Sequence, residues 1–254
     1  MSEPVCKDCI SGVHHEGVPE GKTEQIGGVE CYVATPTSEY AKEKVVLFLP
    51  DVFGVALVNN RLLVDDIARN GFWCVMPDYF EGDSIPEDAM NPENRDKFDR
   101  VGWFSRHGDN VWKPIVDKVV AALKEQGVTR FGTTGYCYGA PSAFYLAYSN
   151  TSQVTVVSHP GRLQVPGDLE KYRAESKAPL LINSCEVDSW FPPESQKIAD
   201  EVFGDGKFAP GYERTYWDGC THGFAVRGDM SNPKVKAGKE GAFEAMIKLY
   251  KKHL

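Results

Sequence analysis

The 254-residue chain has little concentrated positive charge: 28 Lys and Arg stand against 36 Asp and Glu, the formal net charge is −8, and no Lys/Arg run exceeds two residues. That absence removes the basic stripe a phosphate backbone requires, so nucleic acid is not an expected partner. Long apolar runs are missing too. No uninterrupted hydrophobic stretch approaches the roughly eighteen residues of a membrane span, and the opening "MSEPVCKDCISG" lacks a basic region followed by an apolar one. A soluble cytoplasmic protein with no membrane partner is the expectation. The seven cysteines are odd in number and scattered, which makes no disulfide framework and suits free thiols in a reducing compartment. The terminal "KHL" ends like the peroxisomal Ser-Lys-Leu signal, but its bulky first residue argues against that address. No internal repeat is visible.

What is present is enough apolar residue, 42% of the chain, for one substantial core. From Lys44 onward, extended and helix-length segments alternate. "VVLFLP" (45–50) reads as a buried strand, "NNRLLVDDIARNG" as a helix stopped by Gly71, and "FWCVMP" (72–77) as the next strand. "KPIVDKVVAALKEQG" (113–127) has a Pro near its start and apolar positions at helical spacing, and "RFGTTGYC" after it reads as strand. A helix from Tyr138 to about Tyr148 follows, then strands in "QVTVVSHP" (153–160), "APLLINSCEVD" (178–188) and "YERTYWDG" (212–219), with helices over 192–204 and from Pro233. This order predicts an α/β fold with a mostly parallel central sheet and helices on both faces. "KTEQIGGVECYVATP" predicts an N-terminal antiparallel hairpin on the sheet edge, turning at Gly27-Gly28. Residues 1–23 are then an N-terminal arm and 24–254 the folded domain. Residues 81–110, polar and aperiodic, are too long for a plain connection and are expected to cover the site.

"GYCYG" (135–139) has the Gly-x-nucleophile-x-Gly form between a strand and a helix. Such a turn lifts a side chain above the C-terminal sheet edge, at a helix N-terminus that favours an anion. A buried structural Cys in a tight turn is the plainer reading of the pentapeptide. A working thiol needs a base, and the base an orienting acid. Asp188 follows one strand in "LLINSCEVDSWFP" and His222 follows the next in "YWDGCTHGF". Taken singly they read as a turn residue and a loop histidine. Together they give the order nucleophile, acid, base that α/β-hydrolases use.

"LPDVFGV", "GYCYGA", "CEVDSWFP" and "THGFAVRG" resemble the dienelactone hydrolase (carboxymethylenebutenolidase) family over about residues 24 to 253, and the Cys- and His-bearing leader resembles its fungal and other eukaryotic branches. The resemblance implies an α/β-hydrolase fold and hydrolysis of an ester, lactone or thioester. It implies that Cys137, Asp188 and His222 are nucleophile, orienting acid and base, with the backbone N–H groups of Val52 and Tyr138 as an oxyanion hole. Bacterial members carry a Glu, linked to thiolate formation, where this chain has Asp51, one methylene shorter; Asp51 also suits a turn cap after Pro50. Bacterial members hold a substrate carboxylate with two arginines. Arg227 matches one, set one residue further from the His, and Arg95, Arg100 and Arg106 are candidates for the other.

Cys6-x-x-Cys9 with His14-His15 has zinc-ligand residue types but lacks the usual second half-site, so no metal and no cofactor are expected. His159 is expected near the pocket rim. Tyr136, Tyr138, Trp103, Phe104, Trp190 and Phe191 are divided between pocket wall and core. A small-molecule substrate and a monomer or weak homodimer complete the expectation. The rival functions are a non-catalytic member of the fold that binds a small carbonyl ligand, and a thiol redox sensor, against which stands the lack of a C-x-x-C at the elbow.

Overall fold

Strands rich in Val, Ile, Leu and Phe on both faces need cover on both sides, and the computed structural model, which describes residues 13, 16–91, 93–94 and 96–254, provides it. The strands are β1 (Lys22–Ile26), β2 (Val29–Ala34), β3 (Lys44–Leu49), β4 (Cys74–Pro77), β5 (Arg130–Tyr136), β6 (Ser152–Ser158), β7 (Leu180–Val187) and β8 (Tyr212–Thr221). They form one eight-stranded sheet in the order β1-β2-β4-β3-β5-β6-β7-β8. From β4 to β8 every neighbouring pair is parallel, and the β1–β2 hairpin is joined antiparallel to β4. Gly27 and Gly28, at φ 61° and 77°, make the tight turn of that hairpin, a conformation disfavoured for other residues.

The helices are α1 (Val58–Arg69), α2 (Arg100–Arg106), α3 (Asp109–Glu125), α4 (Ala140–Tyr148), α5 (Gly167–Glu175), α6 (Pro193–Phe203), α7 (Phe224–Arg227) and α8 (Pro233–His253). α3 packs on α4, α4 on α5 and α5 on α6, while α1 meets α7 and α7 meets α8; these two chains of contact form two helical layers. Among the described residues, no helix is long and apolar enough to cross a membrane.

Among the helices that differ from the sequence expectation, α3 and α5 do so for identifiable reasons. α3 begins at Asp109, ahead of the expected Lys113, because Trp112 is buried in its first turns; Pro114 therefore sits inside the helix and forfeits one hydrogen bond near its start. α5 carries no helical signal in the sequence: in "GDLEKYRAE" only Leu169 and Tyr172 are buried, too few to produce a periodic apolar stripe.

The segment 81–110 holds a 3₁₀ turn at Glu87–Met90 and the short α2. It is anchored rather than loose. Ile85 N donates to Val52 O at 2.9 Å, and Trp103, fully buried, donates from Nε1 to Asp83 O at 2.6 Å. Phe104 of the same helix reaches the ring of Tyr138, centroids 6.3 Å apart, so the segment covers the elbow.

Candidate active site

In a parallel sheet all strands end at the same edge, so residues following β3, β5, β6, β7 and β8 converge there. Those residues are Asp51 and Val52, Cys137, His159 to Arg162, Asp188 and His222. The elbow is built by close approach. A Cβ on Gly139 would lie 2.0 Å from the Leu49 carbonyl oxygen at the end of β3, and one on Gly135 would lie 2.5 Å from Gly139 O. Cys137 itself takes φ 47°, an unfavourable conformation for a residue with a side chain. It is held there through its carbonyl, which accepts from Ala140 N and from Gly161 N at 2.9 Å. Gly139→Ala should therefore destabilise the fold by at least about 3 kcal/mol. Urea unfolding measures this, and an unchanged midpoint would contradict the close approach.

Asp188 is buried and serves two sets of donors. Its Oδ1 accepts from Trp190 N at 2.8 Å and Phe191 N at 3.1 Å, and its Oδ2 faces His222 Nδ1 at 2.9 Å. One oxygen thus makes Asp188 a turn residue, and the other is the one placed beside the His222 ring. With Nδ1–H donated to Asp188, Nε2 is the nitrogen left to accept a proton. Nε2 is buried, lies within electrostatic reach of Cys137 and makes no regular hydrogen bond to a described residue. Burial works to lower the His222 pKa, but hydrogen bonding and electrostatic interaction with Asp188 and Cys137 outweigh it, pushing His222 up to about 10.

That shift carries a pH dependence. Folded His222 holds a proton that the unfolded chain, with an ordinary value of 6.5, gives up. Its contribution is therefore complete below the unfolded value and is lost as pH rises through the folded one. Relative to His222→Gln, the wild type should be more stable at acid-neutral pH and lose that advantage as pH climbs from 6.5 to about 10. Denaturant melts of both proteins across this window test it, and parallel curves would refute the shift.

Asp51 is buried. Its Oδ1 accepts from Phe53 N at 3.1 Å and Asn60 Nδ2 at 3.0 Å, and its Oδ2 lies 3.8 Å from Arg227 Nε. Burial pushes its pKa up, opposed by Asn60, by Arg227, by the Phe53 N–H and by His222. Asp51 therefore caps its turn and pairs with Arg227 at once, and none of these bonds goes to Cys137. Arg227 lies with its guanidinium 4.1 Å over the Phe53 ring. The next residue in the β3 loop, Val52, has a backbone N–H that donates to no described residue.

The other expected residues divide. Arg106 is half exposed and pairs with Asp83 at 3.2 Å, and Arg100 is partly buried on α2. Arg95, Cys6, Cys9, His14 and His15 lie outside the described residues. Among the described residues no cluster of His, Cys, Asp and Glu is arranged to hold a metal, and Cys31, Cys74, Cys137, Cys185 and Cys220 are free thiols. Of the aromatics, Tyr136, Tyr138, Trp103 and Phe191 are core residues, whereas Phe104 and Trp190 line a cleft. His159 is not at a rim. It is wholly buried, its ring 5.0 Å from that of His222, with neither nitrogen bonded to a described residue. Burial, with the charges of His222 and Arg227, holds it well below 6.5, so it packs as a neutral ring.

Three residues of the site carry no signal in the sequence. Arg162 follows β6 and sets its guanidinium 4.5 Å over the Tyr138 ring. Asn59 Nδ2 and Lys239 Nζ both donate to Val226 O, at 2.9 and 3.1 Å, and fix α7 between His222 and Arg227. Lys239 is buried, which lowers its pKa to about 8. Only asking which side chains flank the strand ends would have raised Arg162; Asn59 and Lys239 are brought in by tertiary packing.

The chain is similar to known proteins along its whole length. The model of the dienelactone hydrolase family matches residues 29–254. Hydrolase pyvD of Aspergillus violaceofuscus is 31% identical over 254 residues, covering 100% of this chain and 98% of that protein. A carboxymethylenebutenolidase homolog of Xenopus tropicalis is 27% identical and covers 100% of both. Among solved structures, a dienelactone hydrolase-like promiscuous phosphotriesterase from metagenomic libraries superposes with a TM-score of 0.61 at 18% identity, over 93% of this chain and 99% of that one, and shares the fold. With an eight-stranded α/β-hydrolase sheet and this full-length match, the chain belongs to the dienelactone hydrolase family and is a carboxylic ester or lactone hydrolase acting on a small molecule.

Proposed function

We propose that the hydrolysis runs through a covalent acyl-enzyme on Cys137. The observation that carries this reading is the convergence of three strand ends: Cys137 strained at φ 47° on its glycine elbow, against a His222 whose Nδ1 is 2.9 Å from the buried Asp188. The Cys137 proton rests on His222 Nε2, in keeping with a His222 pKa raised to about 10, and the thiolate attacks the substrate carbonyl carbon to form a C–S bond while the carbonyl electron pair moves onto oxygen. The backbone N–H groups of Val52 and Tyr138 bind that oxyanion. Two such donors suffice physically, since one is commonly worth about 3–4 kcal/mol in the transition state. The intermediate collapses, the bond to the leaving group breaks, and His222 gives the leaving group its proton. Water, deprotonated by His222, then cleaves the thioester and the proton returns to sulfur. Arg227, paired with Asp51 beside this path, is one cationic side chain near the reacting atoms. The free thiols fit a cytoplasmic protein, and we take the working unit to be a monomer or weak homodimer.

The test is intact-mass detection of the acyl group. An ester with a slow-leaving acyl group should add its acyl mass to the wild type, on the peptide containing Cys137, and not to Cys137→Ala. An adduct on a different residue, or full turnover by Cys137→Ala, would overturn the mechanism.

A further inference from the structure

Beside the elbow lies a cleft of about 620 Å³, within the size range of small-molecule sites. Its walls come from the same segments that build the catalytic centre. Arg162 follows Gly161, where a Cβ would lie 3.5 Å from Cys137 Sγ; Pro141 is in the first turn of α4; Trp190 is two residues past Asp188; Phe104 is on α2. The lining is aromatic, with Phe104 and Trp190 at 6.4 Å and Trp112 and Tyr145 at 5.6 Å between ring centroids. It is also cationic. Lys113, Arg162 and Lys171 outnumber Asp109 and Asp168 there, in a chain whose net charge is −8.

The two carboxylates are already engaged. Asp109 accepts from Lys113 Nζ at 2.8 Å and Trp112 Nε1 at 3.2 Å, and Asp168 accepts from Gln164 N at 2.7 Å. Arg162 is not fully engaged. Its Nη2 is 3.8 Å from Asp109 Oδ1, longer than a hydrogen bond, and its Nη1 is buried with no hydrogen-bond partner among the described residues. A buried guanidinium N–H without an acceptor is costly. Here it is held in place by stacking on Tyr138 and by a backbone at φ 62°. The rest of the Arg162 side chain, 23% exposed, lines the cleft, so a planar ligand that stacks on the aromatic walls and carries an acceptor with negative charge would pair with its guanidinium.

We propose that this cleft is a subsite for an aromatic ring bearing an anionic substituent, a carboxylate or a phenolate, and that Arg162 is the residue that selects the charge. The proposal deepens the hydrolase reading by naming a substrate class, aryl esters or lactones with an acidic group on the ring, and rests on that reading only for what happens at Cys137.

The probes are naphthalene-2-carboxylate and its neutral isostere naphthalene-2-carboxamide, titrated into the wild type by calorimetry. The carboxylate should bind at least about tenfold more tightly, as a charge-assisted bond to a guanidinium implies. Arg162→Met should bring the two affinities together, and the carboxylate should inhibit hydrolysis of a neutral aryl ester competitively. Equal or tighter binding of the carboxamide, or a preference that survives Arg162→Met, overturns the proposal. Should Arg162→Met fail to give a cooperative thermal melt, Trp190→Ala, at a half-exposed position, is read instead: it should weaken both ligands, and unchanged binding of both would refute the aromatic cleft. If no ester is turned over, the hydrolytic mechanism fails while the binding preference stands. If esters are turned over and the carboxylate binds without inhibiting, the placement beside Cys137 fails.

Discussion

Cys137→Ala is expected to lower kcat for a small aryl ester by at least about 10⁵-fold, the scale of nucleophile removal in hydrolases that work through a covalent intermediate. Among the described residues no other thiol stands on the elbow: Cys31, Cys74, Cys185 and Cys220 are buried, and burial pushes each of those thiols up, away from the reactive thiolate. The fold should not suffer. Alanine also has a Cβ, so it meets the strain of φ 47° much as cysteine does, and the clamp on the Cys137 carbonyl by Gly161 and Ala140 involves no side chain. A thermal melt close to wild type, together with lost turnover, separates chemistry from stability. Cys137→Ser should fall between the two, because a hydroxyl is far less acidic than a thiol but keeps an attacking atom in place. Steady-state kinetics on the three proteins decide the matter, and a Cys137→Ala variant retaining more than about one per cent of wild-type kcat would remove the sulfur from the mechanism.

What the sequence made legible follows from where its patterns are local. β3 is a run of adjacent apolar residues, and the elbow announces itself because Gly135 and Gly139 flank the thiol within five residues. Asp188 and His222 are legible one step less directly: each needs a strand recognised before it and a partner found 34 positions away. Arg162 and Lys239 are invisible for the opposite reason. Arg162 acquires its role from Tyr138 and from a cleft closed by α2 and α3, and Lys239 from a carbonyl 13 residues upstream, on a separate helix. His159 shows the same limit. A histidine ahead of a proline at a strand end reads as polar and peripheral, yet the chain turns it at φ 38° beneath His222 and Phe224. The partners of Asp51 are illegible in the sequence because they are Asn60 and Arg227, one of which lies far along the chain.

The second large effect is expected from Asp188→Asn, which should cost about 10³–10⁴-fold in kcat/KM while leaving the protein folded. The reason lies in the division of labour between the two carboxylate oxygens. Oδ1 holds the Trp190 and Phe191 amides, and an asparagine can keep its single carbonyl oxygen there. Its NH₂ then faces His222 Nδ1 at the place of Oδ2, and a donor facing a donor is repulsive. The imidazole resolves the clash by moving its proton to Nε2, the nitrogen that must accept the thiol proton, so the base is present and pointed correctly but already occupied. Loss of the carboxylate charge also removes a main cause of the raised His222 basicity. Asp188→Ala should behave differently. It leaves the two amides without an acceptor as well, adding a stability loss of about 1–3 kcal/mol to the kinetic one. Nitrogen chemical shifts of His222 report the tautomer, and denaturant melts report the cap. An Asp188→Asn protein with Nδ1 still protonated, or with kcat/KM within about tenfold of wild type, would show that Asp188 does not govern the base and that its hydrogen bond to His222 is structural.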